Sequence, residues 1–305
     1  MKYCSQKHHS FLLLVILACS SLNTRIQAQT TVAYQQEIES WHTKRIQNLK
    51  AANGWLNLVG LYWLDEGENS FGSGLNNKLV FPQGNIPEEA GIFVRSGTTV
   101  KLIVLNNAAI KVNDKPVTEA VIFDKDSIRA PVVSYGSLRW TIIRRDDKIG
   151  IRLRDLESPQ ATDFKDIDRY AVDTTWKIPA TLQAEEAPRT IAIKNILGQT
   201  NQQKTPGKLV FSIHNKQYTL DALEEGDELF IIFADETSGK TTYPSGRFLS
   251  VKKPAADGST IIDFNKAYNP PCAFTDYATC PLPPRQNVLP VAITAGEKNY
   301  GHHSL

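Results

Sequence analysis

The residues best suited to chemistry in this chain gather between positions 235 and 297. Arg247 opens a predicted strand after a Thr-Tyr-Pro-Ser-Gly turn, and Asp263 ends the apolar run Ile261-Ile262. If these two strands pair, Arg247 and Asp263 lie close together, where an arginine can fix a carboxylate, a phosphate or a sugar. The predicted ligand-binding set comprises Tyr243, Arg247, Asp263, Asn265, Tyr268 and Asn269.

Three carboxylates of the same region are candidate catalytic groups: Asp235, Asp263 and Glu297. A carboxylate can act as a general base if burial raises its pKa. The competing interpretation is structural, with an Arg247–Asp263 ion pair and neighbouring polar side chains that satisfy irregular backbone. An Arg247→Ala variant separates the two, because loss of a ligand site should remove the ligand and leave the melting temperature nearly unchanged.

The signatures of metal and cofactor enzymes are missing from the sequence. It contains no Gly-x-Ser-x-Gly, HExxH or Walker A motif. The histidines beyond residue 28, at positions 42, 214, 302 and 303, do not cluster. We therefore predict no metal and no cofactor, and whether the chain is an enzyme stays open.

Cys272 and Cys280 lie in the segment 269–290, which contains six prolines. Proline lacks the backbone donor of a sheet, so we expect an irregular, stiff excursion rather than a central strand. In an exported protein the cysteines would by default form a disulfide that closes a short loop. Packed thiols, a metal site and a catalytic thiol are the alternatives.

The first 28 residues have the composition of a secretory leader. Lys2 and Lys7 precede the apolar run 11–18, which is shorter than the roughly 20 residues of a transmembrane helix. Cleavage before Cys19 would leave a lipoprotein with a lipid on Cys19, whereas cleavage after Ala28 would release a soluble mature protein. Both predict export, to the periplasm or to the cell envelope.

Net charge excludes a nucleic-acid partner. The 305 residues include 34 Lys and Arg against 32 Asp and Glu, a net charge of +2. Residues 1–28 hold three of the basic residues and no acidic one, so the remainder carries 31 against 32, a net charge of −1. Such a balance gives no electrostatic footprint for nucleic acid. No protein partner is evident, and contact with a membrane is expected only through an N-terminal lipid.

The elements that must position these residues are mainly strands. An amphipathic helix is predicted over 32–52, followed by a strand over 55–64 with a bulge at Gly60. Residues 65–74 are rich in turn formers, and 138–145 with 149–154 predict a hairpin. Its five arginines, at 139, 144, 145, 152 and 154, indicate a solvated face, with an anion site as the alternative.

Five more strands are predicted in the second half of the chain: Thr190–Ile196, Lys208–Ile213, Tyr218–Leu223, Glu228–Phe233 and Arg247–Val251. Short strands at this spacing predict a mainly β fold, an antiparallel sandwich or barrel-like sheets, with one N-terminal amphipathic helix and the Pro-rich irregular C-terminal segment. We expect a single β-rich module over 29–305, with two β layers, 53–156 and 188–300, as an option.

Several strings make the chain resemble a bacterial family, the domain of unknown function 1684. The strings are Gly54-Trp55-Leu56, Gly60-Leu61 and the segments 235–247, 263–272 and 280–298. The resemblance covers about residues 40–300 and carries no reaction. It implies one module spanning both β regions and a family pattern that includes Cys272 and Cys280. Similar proteins without leaders carry this cysteine pair, which argues for reduced thiols.

The function expected from the sequence is that of a cell-envelope protein that binds a small polar or anionic ligand near the C-terminal strings. The first alternative is a carboxylate-dependent hydrolase, and the second is a purely structural envelope protein.

Overall fold

A computed structural model describes residues 31–126, 130–145 and 147–301. The predicted leader, with Cys19, lies outside the described residues. Helix α1 covers 31–50 and a short helix α2 covers Pro159–Asp163. Single 3₁₀ turns cover Thr174–Trp176, Phe264–Lys266, Pro271–Ala273 and Arg285–Asn287. No helix in the described part of the chain is long and apolar enough to span a membrane.

Two sheets form the first half of the chain. The strands of the first sheet are β1 (Leu58–Trp63), β6 (Lys111–Val112), β7 (Lys115–Pro116), β9 (Val133–Tyr135), β10 (Leu138–Arg145) and β11 (Lys148–Asp155), in the order β1-β11-β10-β9-β6-β7. The strands of the second are β2 (Gly67–Gly72), β3 (Leu79–Val80), β4 (Gly91–Ser96), β5 (Thr99–Val104) and β8 (Glu119–Phe123), in the order β3-β2-β4-β5-β8. Their inward side chains share one apolar core, which includes Phe71, Phe93 and Trp140.

A nearly closed, barrel-like sheet forms the second half. Its strands are β12 (Lys177–Lys194), β13 (Thr200–Ile213), β14 (Lys216–Glu225), β15 (Glu228–Phe233), β16 (Arg247–Lys252) and β17 (Ser259–Asp263), in the order β16-β15-β14-β13-β12-β17. The two edge strands meet without a ladder, and Oγ1 of Thr260 donates to the carbonyl of Lys252 at 2.8 Å. The barrel core contains Phe211, Phe233 and Phe264.

Helix α1 packs through an apolar stripe, as its 3.6-residue periodicity predicts. Tyr34, Ile38 and Leu49 are buried. Leu49 joins an apolar cluster that contains Phe164, which follows α2, and Phe274 and Ala278 of the Pro-rich segment. The Nδ2 atom of Asn57 donates to the last carbonyls of the helix, those of Lys50 (3.3 Å) and Ala51 (2.7 Å), and so caps its C-terminal end.

The mainly β, antiparallel prediction is confirmed. The bulge is present in β1, where Leu58 pairs with Arg154 but Gly60 pairs with Leu153, so Val59 is the extra residue. The predicted hairpin is β10–β11. The turn prediction for 65–74 is wrong over Gly67–Gly72, which forms strand β2. Nδ2 of Asn69 donates to the carbonyls of Asp65 and Gly67, so one side chain holds a short turn and the chain continues from it as a strand.

The pairing expected to bring Arg247 next to Asp263 is also wrong. Strand β16 pairs with β15 and places Arg247 opposite Phe233, whereas β17 pairs with β12 and places Asp263 opposite Lys177. The cause is strand order: β12 is 18 residues long and pairs with both β13 and β17. Segment 269–290 is irregular, as its prolines predict.

Candidate functional site

Arg247 is enclosed by protein on every side. Its exposed fraction is 0%, and its guanidinium donates to Oδ2 of Asp235 (2.9 Å) and to the carbonyl oxygens of Ile293 (3.0 Å), Ala295 and Glu297 (3.3 Å). Burial lowers the pKa of Arg247, and the Asp235 carboxylate offsets part of that change. The structural interpretation of Arg247 therefore fits the geometry, with Asp235 as its partner in place of the predicted Asp263.

The second carboxylate oxygen of Asp235 also accepts hydrogen bonds from protein groups. Oδ1 accepts hydrogen bonds from the backbone N–H (2.9 Å) and hydroxyl (2.6 Å) of Thr237 and from the N–H of Ile293 (3.1 Å). Both oxygens of this carboxylate bond to protein and the side chain is 0% exposed, so a substrate in solvent does not reach it. Asp235 is thus placed to hold segment 291–297 against the barrel.

Glu297 belongs to a similar network at the end of α1. Its Oε1 accepts from Nε of Arg45 at 3.1 Å, and its Oε2 accepts from the N–H of Asn269 at 2.6 Å. Arg45 also donates to the Asn269 carbonyl at 2.9 Å, and its guanidinium lies 4.6 Å from the ring centre of Tyr268. Glu297 is only 1% exposed. This network attaches helix α1 to the Pro-rich segment.

Asp263 binds the start of α1. Its Oδ1 accepts from the Tyr34 hydroxyl at 2.7 Å, and the same oxygen accepts from the N–H of Asn265 at 3.2 Å. Burial and the Asp263 carboxylate raise the pKa of Tyr34 well above its usual value. Nδ2 of Asn265 donates to Tyr34 (2.9 Å) and to the Asp173 carbonyl (2.8 Å). Asn265 therefore fixes backbone and does not face a cavity.

The remaining predicted residues either lie in the interior of the protein or line a cavity. Tyr243 is buried within the apolar cluster that contains Phe248 and Phe274, and burial raises its pKa. Cys272 and Cys280 are joined in a disulfide with their Cα atoms 6.1 Å apart, and the N–H of Cys272 lies 3.0 Å from Sγ of Cys280. Tyr268 and Asp263, by contrast, line a cavity.

That cavity, the seam groove, lies where the barrel fails to close between β16 and β17. Its volume is about 520 Å³, within the range of small-molecule sites. The lining residues are Glu37, Trp41, Lys177, Glu228, Ser250, Val251, Lys252, Lys253, Ala255, Ser259, Thr260, Ile261, Asp263, Lys266 and Tyr268. Helix α1 supplies one end of the groove through Glu37 and Trp41.

The seam groove carries a small excess of positive charge. Four lysines line it, against the carboxylates of Glu37, Glu228 and Asp263, a formal balance of +1. Lys266 donates to Glu37 and lies 3.7 Å from Oδ2 of Asp263, and Lys177 lies 3.8 Å from Glu37. Among the described residues Lys252 and Lys253 have no ion-pair partner within 4.0 Å, so their charges are available to a ligand.

Two aromatic rings add an apolar surface to these charges. The ring centres of Trp41 and Tyr268 are 6.4 Å apart at an angle of 51°. Burial raises the pKa of the Tyr268 hydroxyl, which therefore stays protonated at neutral pH. A groove with lysines at the rim and aromatic rings beneath suits a small anion that has an apolar part.

Sequence reasoning missed most of this groove. Lys177, Lys252, Lys253 and Lys266 come from three separate chain segments, and lysine at a strand end is normally solvated. The adjacent pair Lys252-Lys253, at the end of β16, was the one feature of the sequence that could have indicated a cationic site. No group of three or more potential metal ligands exists within the residues that the structure describes.

Comparisons with known proteins give a family and no activity. Residues 162–298 match the family model described as protein of unknown function (DUF1684). The solution NMR structure of an uncharacterized protein of Haloarcula marismortui is 30% identical over 47% of this chain and 82% of that chain, with a TM-score of 0.40. The curated proteins gave no match.

FHA domains also match over a shorter stretch. One, from a study of phosphothreonine-dependent FHA domain interactions, is 20% identical over 31% of this chain and 92% of that chain, with a TM-score of 0.22. The crystal structure of the FhaA FHA domain is 20% identical over 31% of this chain and 97% of that chain, also with a TM-score of 0.22. Scores this low assign neither a fold nor an activity. The resemblance predicted from the sequence is confirmed, and residues 162–298 of this chain belong to the family of proteins of unknown function DUF1684.

Proposed function

We propose that this protein is an exported cell-envelope protein that binds a small anionic molecule in the seam groove. The observation that carries the proposal is the pair Lys252 and Lys253, which have no ion-pair partner among the described residues and lie on the rim of a cavity of about 520 Å³. An unpaired cation at a half-enclosed site favours a ligand that brings the opposite charge. Trp41 and Tyr268 would contact its apolar part.

The hydrolase alternative has less support. Asp235 and Glu297 are 6% and 1% exposed and each is bonded to an arginine. A general base must reach the proton that it removes, directly or through one water. Of the three candidates only Asp263 borders the groove: its Oδ1 accepts from Tyr34, and its Oδ2, which has no hydrogen-bond partner among the described residues, lies 3.7 Å from Nζ of Lys266. Neither Asp235 nor Glu297 lines the groove beside it to complete an acid–base pair. We therefore propose binding without hydrolysis.

Export is the second part of the proposal. The basic and apolar pattern of residues 1–28 supports it, and so does the disulfide between Cys272 and Cys280, because such bonds persist in oxidising compartments. Mass spectrometry of the protein purified from its own envelope tests this part. A new N-terminus at Cys19 or Gln29 is expected, whereas an intact N-terminus would contradict export.

Anilinonaphthalene sulfonate, an anion with aromatic rings, is a suitable probe for the groove. We expect it to bind the native protein and to bind a Lys252→Gln/Lys253→Gln variant about tenfold more weakly, since two charges at the rim are lost. Lys111→Gln/Lys115→Gln is the matched control, because both lysines are exposed on β6 and β7. Equal affinity of the groove variant and the control would refute the groove as the binding site.

A further inference from the structure

A second cationic surface lies on the first sheet. Arg152 and Arg154 are two residues apart on β11, so their side chains project from the same face. The register places Arg154 opposite Arg139 of β10 and Arg152 opposite Thr141. Between Arg152 and the turn, Gly150 lies against the ring of Trp63 and adds no side chain of its own. The Trp63 ring fills the space that a side chain at position 150 would take, so the solvent-accessible part of this face lies around Arg152 and Arg154, which are both half-buried.

These arginines have no compensating charge in the described part of the chain. Among residues 31–126, 130–145 and 147–301 no carboxylate lies within 4.0 Å of Arg152 or Arg154, and the Nε atom of Arg152 is buried without a hydrogen-bond partner there. The guanidinium of Arg152 lies 5.2 Å from the ring centre of Trp55, and Arg154 has a single weak bond, from Nε to the Gly54 carbonyl at 3.4 Å. Burial and the charges of Arg145 and Arg154 lower the pKa of Arg152 to about 10.

Elsewhere the same protein compensates such arginines with a carboxylate. Arg247 binds Asp235, Arg45 binds Glu297, and Arg189 binds Asp221. A charge removed from water without a partner is costly, which is why buried charges are normally paired. Arg152 and Arg154 are half-buried without such a partner among the described residues, which favours a counter-charge that comes from outside the chain.

The disulfide loop 272–280 forms the opposite wall of this surface. The Thr275 hydroxyl donates to the Leu58 carbonyl of β1 at 3.1 Å, and Nε of Arg145 lies 3.5 Å from the Thr279 hydroxyl. The loop thus lies beside the cationic face. The Thr275 proton is taken by the Leu58 carbonyl, whereas the Thr279 hydroxyl accepts from Arg145 and can donate its own proton. A guanidinium cluster with adjacent hydroxyls is the donor set that phosphate oxygens accept.

We propose that Arg145, Arg152 and Arg154, with the Trp55 ring against Arg152, form a binding site for a phosphate group. The site belongs to a different sheet from the seam groove and does not depend on the proposed function of that groove. Three cationic side chains match a dianion better than a monovalent carboxylate.

Inorganic phosphate is the probe that tests this site. We expect the melting temperature of the native protein to rise by several degrees as phosphate replaces chloride at constant ionic strength, because the ligand binds the folded state only. Acetate under the same conditions should leave the melting temperature unchanged. No phosphate-specific rise, or an equal rise with acetate, would overturn the assignment to phosphate.

Variants separate a binding role from a packing role. Arg152→Gln should abolish the phosphate-dependent rise while the melting temperature without phosphate stays level or increases, because an unpaired buried charge has been removed. Arg154→Gln is a second test of the same site. Lys216→Gln is the control, since Lys216 is an exposed cation whose Nζ lies 5.4 Å from the Tyr218 ring centre. Retention of the full phosphate response in both arginine variants would refute the site.

Discussion

Nη2 of Arg247 lies 2.9 Å from Oδ2 of Asp235, and neither side chain is exposed to solvent. The pair connects the first residue of β16 with the turn after β15, and both side chains also bond segment 293–297. It therefore fastens the irregular C-terminal segment to the barrel. The sequence predicted Arg247 as the centre of a ligand site, whereas in the structure its guanidinium bonds Asp235 and the backbone of the C-terminal segment.

Replacing Arg247 should destabilise the protein severely. In an Arg247→Ala variant the carboxylate of Asp235 stays buried without its cation, and three backbone carbonyls lose a donor. Loss of one partner of a buried ion pair costs about 3–5 kcal/mol. Urea denaturation should show this fall in the free energy of unfolding. The result would be the opposite of the ligand-site expectation, which is a nearly unchanged melting temperature.

Arg285→Ala provides the control for this measurement. Arg285 is exposed at a 3₁₀ turn of the same Pro-rich segment. Its removal should change the free energy of unfolding by less than about 0.5 kcal/mol. If the two alanine variants unfold at the same urea concentration, Arg247 does not clamp the segment.

The fold was predictable because its signals are local. Alternation of apolar residues marks β10 and β11, and His214 and Asn215, both with positive φ, form the two-residue turn between β13 and β14. The partners of Arg247 were not predictable, because strand order decides them. A long β12 inserts beside β17 and removes Asp263 from Arg247, and nothing in the residues around 263 specifies that order.

The contact between Arg45 and Glu297 should couple α1 to the C-terminal segment. A double-mutant cycle with Arg45→Gln and Glu297→Gln isolates the pair energy from the effects of each side chain. We expect a coupling energy of about 1–3 kcal/mol, because Glu297 is buried and its other oxygen is held by the Asn269 N–H. The free energies of unfolding of the four proteins supply the number.

A coupling energy near zero would contradict this role for the pair. The exposed ion pair of Lys101 and Glu119, with 2.8 Å between Nζ and Oε2, is the matched control. Solvent screens that pair, so its coupling energy should stay below about 1 kcal/mol.

Oxidation of Cys272 and Cys280 should be measurable in a protein that consists of residues 29–305. Residues 29–305 contain only these two cysteines. An Ellman assay of the unfolded, unreduced protein should detect no free thiol. A bond that closes so short a loop stabilises the folded state by about 2–3 kcal/mol in the chain-entropy model, so reduction should lower the urea midpoint. Two free thiols in the unreduced protein would exclude the disulfide.

The seam groove shows a further limit of sequence reasoning. Its lysines are ordinary surface residues until the barrel edges β16 and β17 bring them together with Trp41 of α1. Arg152 and Arg154 differ, because their crowding on one hairpin is visible in the sequence. The sequence could not predict that the described structure places no carboxylate near these two arginines. That absence is the observation that favours a binding site over a solvated face.

Protonation of Glu37 should strengthen anion binding in the groove. The hydrogen bond from Lys266 lowers the pKa of Glu37 below its ordinary value of 4.5, so Glu37 is ionised at pH 5–7 and neutralises one lysine. Because its pKa is lower in the folded state, the ion pair stabilises the fold above pH 4.5, and that small contribution is lost as the pH falls through the folded pKa.

A Glu37→Gln variant reproduces the protonated state at neutral pH. The formal balance of the groove rises from +1 to +2, so the variant should bind anilinonaphthalene sulfonate a few-fold more tightly than the native protein at pH 6. The two affinities should converge only as the pH falls through the lowered pKa of Glu37, below 4.5, because the native Glu37 then becomes neutral while the sulfonate stays ionised. Glu68→Gln, at an exposed carboxylate of β2 outside the groove, should leave the affinity unchanged. Weaker binding by Glu37→Gln would mean that Glu37 holds Lys266 in place for the ligand rather than competing with it.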